Sequence, residues 1–142
     1  MGMYTELNIA VRLKLPDNAL KILEFMTEQS ENQDFELPVH PLFDLETNRW
    51  EYMLCCDSAS FPHTTYSFLE NEKYFAEEDT SQCVLNVRCD LKNYNDEIEN
   101  FLDWIYQYSM TKGFIGYMRY EEDEDPTLIY FTDRGVEYKR VN

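Results

Sequence analysis

Long apolar runs, glycine, histidine and positive charge are all scarce in this 142-residue chain. The most extended apolar segment, Tyr4 to Leu15, is interrupted by Glu6, Arg12 and Lys14, so it is neither a signal-peptide core nor a membrane span. A cytoplasmic location is expected. Gly2 invites comparison with myristoylated proteins, but Glu6 stands where that motif requires Ser or Thr. Only four glycines occur, Gly2, Gly113, Gly116 and Gly135, which leaves no material for a Walker loop, a dinucleotide fingerprint or a nucleophile elbow.

Twelve basic residues stand against 28 acidic ones, for a net charge of −16. That sign disfavours direct binding to a nucleic-acid backbone. The acidity belongs to the whole chain: the first 71 residues hold 4 basic and 12 acidic residues, the remainder 8 and 16. Cys55, Cys56, Cys83 and Cys89 contain no C-x-x-C pair and no spacing typical of a disulfide-stapled domain, so they read as reduced thiols. A zinc site built from them with His40 or His63 lacks paired ligand spacing, and neither a metal nor a cofactor is expected.

What the chain does have is core material. Hydrophobic residues make up 44%, including nine Phe, two Trp and eleven Tyr, enough for one domain spanning residues 1–142. Residues 4–15 alternate, with Leu7, Ile9, Val11, Leu13 and Leu15 on one side, which predicts a half-buried strand ended by Pro16. Asp17 is expected to cap a helix carrying Ala19, Ile22, Leu23 and Met26 at helical spacing and running to about Glu28. Gln29 to Asn48 reads as a long surface loop, Arg49 to Cys56 as a second strand, and Thr65–Leu69 as a weaker strand. The charged segment Glu70–Ser81 reads as exposed.

Cys83, Leu85, Val87, Cys89 and Leu91 alternate with polar residues, a strand with both thiols facing the core. Asn93 or Asn95 can cap a second helix whose stripe is Ile98, Phe101, Leu102 and Ile105, closed by Gly113. Phe114–Tyr120 and Thr127–Thr132 then predict an antiparallel hairpin with an acidic tip at Glu121–Asp125. Met118, Tyr120, Ile129 and Phe131 are expected on its core side, with Ile115, Tyr117, Leu128 and Tyr130 opposite. The order β-α-β-β-β-α-β-β points to an α+β fold, an antiparallel sheet with two helices on one face, nearest to a ferredoxin-like sandwich with additional strands.

Candidate chemistry is sparse. His40 and His63 lie in loop-like stretches without a visible partner and read as surface histidines. The Glu121–Asp125 run lacks the alternating ligands and glycine of a calcium loop, so solvated charge is the simpler reading. The second helix carries Asp96, Glu97, Glu99 and Asp103 with no Lys or Arg between Asn93 and Thr111, which predicts a purely negative exposed face. Asp96 and Glu97 suit a helix N-terminus, whereas Glu99 and Asp103 repel one another.

Several stretches are similar to a family of small acidic proteins, carried by phages and prophages, of unassigned function. They are Met3-Tyr4-Thr5-Glu6-Leu7, Leu91-Lys92-Asn93-Tyr94, Phe101-Leu102-Asp103-Trp104-Ile105, and Phe114 through Tyr120 running on to Tyr130. The resemblance implies a context and no active site. The resulting expectation is a non-enzymatic protein-binding module directed at a host nucleic-acid-binding or defence protein. Its contact residues would be Glu99, Asp103, Tyr117, Tyr120, Glu121, Glu122, Asp123, Glu124 and Asp125, because fixed carboxylates can occupy a groove built for phosphates. Two alternatives stand beside it. One is a carboxylate-based enzyme or small-molecule binder with a cleft near His63 or Cys56; the other is self-association through the two-sided hairpin.

Overall fold

The computed structural model describes residues 3–44, 48–71 and 82–141. Alternation produces strand β1, Thr5–Lys14, whose Leu7, Ile9, Val11 and Leu13 are buried while Ala10, Arg12 and Lys14 are exposed. Helix α1 spans Asp17–Met26 and buries Ala19, Ile22, Leu23 and Met26. Asp17 does not cap it; Pro16 does, with no side-chain bond, and Asp17 pairs with Lys21 at 3.2 Å one turn on. The helix also stops short of Glu28. Thr27 Oγ1 donates back to the Leu23 carbonyl at 2.7 Å, and Glu28 adopts a left-handed φ of 58° that no helix can continue through.

The stretch after α1 is more than a surface loop. Leu42 and Phe43, in a 3₁₀ turn, are buried, and Phe43 meets Trp50 and Trp104 edge-on at 5.1 Å each. The expected strand over Arg49–Cys56 is instead two 3₁₀ turns, Arg49–Glu51 and Met53–Cys55. Its buried residues explain why: Trp50, Met53 and Leu54 are three and four apart, a helical spacing that no strand could bury on one face.

Strands β2 (Tyr66–Asn71) and β3 (Gln82–Leu91) follow, and the 72–81 part of the charged segment lies outside the described residues. Helix α2, Glu97–Tyr106, buries the expected stripe together with Trp104. Its N-cap is neither Asn93 nor Asn95 but Asp96, at a left-handed φ of 56° and with no side-chain bond; Asn93 serves the first turn from outside, its Oδ1 accepting from the Ile98 amide at 2.8 Å. Glu97 departs from the expected exposed face: it is wholly buried, accepts from the Asn95 amide at 2.9 Å, and lies 3.7 Å from Arg49 Nη1. Gly113 does not end this helix but opens strand β4, Gly113–Tyr120, at a φ of 95°.

β4 and β5 (Thr127–Thr132) form the expected hairpin, and a further strand, β6 (Gly135–Arg140), pairs with β5. A bulge between Phe114 and Gly116 shifts the phase of β4 and turns Ile115 into the core, against the alternation of the sequence. The six strands are all antiparallel in the order β2-β3-β1-β4-β5-β6, an α+β fold. Both helices and the 3₁₀ turns join the inward-facing strand residues in one core, and among the described residues no helix covers the other sheet face.

Candidate functional site

That second face carries the functional candidates. β1 lies between β3 and β4 with Glu6 opposite both Asp90 and Arg119. Because Leu7 and Cys89 point into the core, Glu6 and Asp90 must point the other way. Left open, these side chains would be solvated. Instead the chain leaving the second 3₁₀ turn crosses over them, anchored where Asp90 N and Thr65 Oγ1 both donate to the Cys56 carbonyl at 3.0 Å. Phe61 is buried against the sheet, stacked on His63 with ring centres 6.1 Å apart, and the Arg119 guanidinium lies 5.2 Å from its ring centre.

His63 Nε2 reaches 3.1 Å from Glu6 Oε2 and 3.0 Å from Asp90 Oδ1. The outer atoms of all three groups are also engaged. Glu6 Oε1 accepts from Arg119 Nε at 2.9 Å, Asp90 Oδ2 accepts from the Ser58 amide at 3.2 Å and hydroxyl at 3.4 Å, and His63 Nδ1 lies 3.3 Å from the Thr64 carbonyl. The Nε2 nitrogen carries at most one hydrogen, and in the tautomer that places it there it aligns with Glu6. Asp90 Oδ1 is therefore buried without a hydrogen-bond donor. Burial pushes the Asp90 carboxyl above its ordinary range, against the opposing pull of His63 and Ser58, and Glu6 adds to the rise.

Beside this cluster, the same face is open. Asn8, Ala10 and Asn86 floor a trough of about 400 Å³, which the small Ala10 side chain does little to fill. Tyr66 and Phe114 stand at its sides, 53% and 55% exposed, with Tyr117 and the exposed Arg88 completing the rim. Among the described residues no ion pair engages Arg88.

The residues singled out in the sequence fall into three places. Tyr117 lies in the trough, opposite Asn8. Tyr120 lies beside the hairpin tip, its phenol pushed up by desolvation and then by Glu122, Glu121, Tyr94 and Asp123. Glu121 accepts from the Tyr4 amide at 2.5 Å and the Asp123 carbonyl from Arg119 Nη1 at 3.4 Å, while Glu122, Glu124 and Asp125 are exposed. Glu99 and Asp103 lie on α2, close enough to raise the Tyr138 phenol together with Asp96, although burial is the larger cause. Glu99 accepts from Asn93 at 2.7 Å and Asp103 meets His40 Nε2 at 2.8 Å.

Neither histidine is a free surface group. His40 Nδ1 accepts from the Leu42 amide at 3.1 Å and so shapes its own turn. His63 is the residue that sequence reasoning undervalued, since its partners come from β1 and β3. Their one visible signal was an acid on the outward side of each strand. No protein-family model matches the chain, and no curated protein or solved structure matches it either.

Proposed function

We infer that this protein is a non-enzymatic binding module that takes a positively charged protein partner on the open face of its sheet. The observation that carries this reading is the trough with its exposed Tyr66, Phe114 and Arg88. Aromatic and arginine side chains are the residue types that anchor protein interfaces, and an uncovered aromatic face on a small domain marks a contact surface. The charge of −16 argues for a cationic partner and against a second copy, whose approach would join two strongly negative bodies. Exposed acids at the hairpin tip and on α2 would speed that encounter rather than form its centre. The resemblance to phage and prophage proteins makes a host nucleic-acid-binding or defence protein the partner class to seek.

The test compares affinity capture by the wild type, a Tyr66→Ser/Phe114→Ser variant, and a Glu122→Gln/Glu124→Gln/Asp125→Asn variant at low and high salt. A basic partner should be retained by the wild type, lost with the sheet-face variant, and held more weakly by the tip variant only at low salt. Retention of every partner by the sheet-face variant would sink the reading. Loss with the tip variant alone would move the contact to the acidic surface.

A further inference from the structure

We propose that Glu6, His63 and Asp90 form a binding site for one divalent first-row transition-metal ion. The three groups come from β1, the crossing loop and β3, and His63 Nε2, Glu6 Oε2 and Asp90 Oδ1 all lie within 4.8 Å of one another. The two separations from Nε2, 3.0 and 3.1 Å, match neighbouring ligands at right angles around an ion about 2.1 Å from each, since 2.1 Å times √2 is about 3.0 Å.

Two independent features point to a cation rather than to a plain ion-pair cluster. The first is the Asp90 Oδ1 atom, buried, aimed at the centre of the group and without a hydrogen-bond donor. A carboxylate oxygen left in that condition is costly, and a cation between it and Glu6 would satisfy both. The second is the arrangement behind the three converging atoms. His63 Nδ1 lies 3.3 Å from the Thr64 carbonyl, so the ring can place its hydrogen there and turn the Nε2 lone pair toward an ion, in exchange for the hydrogen that Nε2 otherwise directs at Glu6. The other oxygen of Asp90 is held by Ser58 and that of Glu6 by Arg119. Metal-binding histidines and carboxylates are oriented in this way, through the atom that does not touch the ion.

The donor set selects among ions. One imidazole nitrogen with two carboxylate oxygens suits Mn²⁺, Fe²⁺, Co²⁺ or Zn²⁺; the all-oxygen shells of Ca²⁺ and Mg²⁺ leave no place for His63. With Glu6 and Asp90 ionised and Arg119 beside Glu6, the site carries one net negative charge before the ion enters. A divalent ion would leave it singly positive in a domain of charge −16. The site is separate from the trough and stands whether or not the sheet face binds a partner. Its place under the crossing loop gives the ion a structural task, the fastening of residues 57–65 to the sheet.

Chelator-treated full-length protein would be titrated with Co²⁺, whose visible absorption reports nitrogen and oxygen coordination. One equivalent per chain should bind saturably. His63→Gln should weaken this at least about 100-fold and Ser58→Ala about 10-fold, whereas Glu122→Gln/Glu124→Gln should change it less than about twofold. A second readout needs no variant: the chain has two histidines, and substoichiometric Mn²⁺ should broaden the ring proton signals of His63 before those of His40. The proposal is overturned if no one-equivalent site appears, if His63→Gln folds and binds like the wild type, or if both histidines broaden together.

Discussion

Gly116 offers a sharp test of how β4 is seated on β1. A Cβ at this position would stand 2.0 Å from the Asn8 carbonyl oxygen, 2.8 Å from Ile9 Cα and 2.9 Å from the Asn8 carbonyl carbon. Ordinary carbon–oxygen contacts are about 3.3–3.6 Å, so Gly116→Ala requires the strands to part by more than about 1 Å. Every offending atom is backbone, and the register Ile9↔Gly116 is central to the sheet, so no side chain can swing aside. Opening by that amount stretches neighbouring N–H···O bonds from about 2.9 Å to nearly 4 Å, beyond bonding range. Two or three lost bonds at about 1 kcal/mol each, with about 1–2 kcal/mol for a side chain at a φ of 149°, give about 3–5 kcal/mol. Gly113→Ala and Gly135→Ala are the controls, because a Cβ there meets nothing within 4 Å and only the backbone cost of about 1–2 kcal/mol remains. In urea unfolding followed by circular dichroism, at a slope of about 2 kcal/mol per M, Gly116→Ala should lower the midpoint by about 1.5–2.5 M and each control by less than about 1 M. Equal shifts for all three would refute the close approach of the two strands.

Trp104→Ala removes a fully buried ring packed edge-on against Phe43 and Tyr108, and should cost about 3–5 kcal/mol by the same urea measurement. Burial pushes the Cys55 thiol up to about 11, with Glu28 and Cys56 contributing, so at pH 8 it holds about a hundredfold less thiolate than an ordinary cysteine. Its alkylation by iodoacetamide, followed by mass spectrometry, should be correspondingly slow and should quicken about tenfold per pH unit. Tyr138 is raised by burial and by Glu99, Asp103 and Asp96, so the folded protein holds its proton where the unfolded chain releases it. The stability it contributes is complete below about pH 10 and is lost as pH rises beyond that; Tyr138→Phe should reduce the fall in the urea midpoint between about pH 9 and pH 11.

The fold class was legible because β1, β3 and α2 each bury one face and advertise it by period. Strict alternation in Thr5–Lys14 and Gln82–Leu91, and the Ile98, Phe101, Leu102 and Ile105 stripe, are local facts that tertiary packing only had to accept. Arg49–Cys56 misleads because three large apolar residues within five positions suit a strand as well as a tight turn. β6 is hard to read from sequence although Val136 and Tyr138 alternate with Glu137 and Lys139, because it is short, follows a two-residue Asp133-Arg134 connection and ends in charge. The cluster around His63 was hidden for a different reason. Glu6, Asp90 and Arg119 become neighbours only through the registers of β1 with β3 and β4, and no local pattern encodes those registers.

The central position of β1 also bears on how the chain is made. Thr5 finds its partners in Leu91 and Tyr120, and Leu13 finds Cys83, so β1 waits for β3 and β4, made about 70–115 residues later. At about 5–20 residues per second, that wait is on the order of 5–20 s. Until β3 is made β1 has no partner strand, and until β4 follows one of its edges stays unpaired, with only α1 and the early 3₁₀ turns at hand to cover the Leu7, Ile9, Val11 and Leu13 face. Nascent chains stalled before residue 113 should therefore be held by chaperones or lost to proteases, and release should coincide with the emergence of β4.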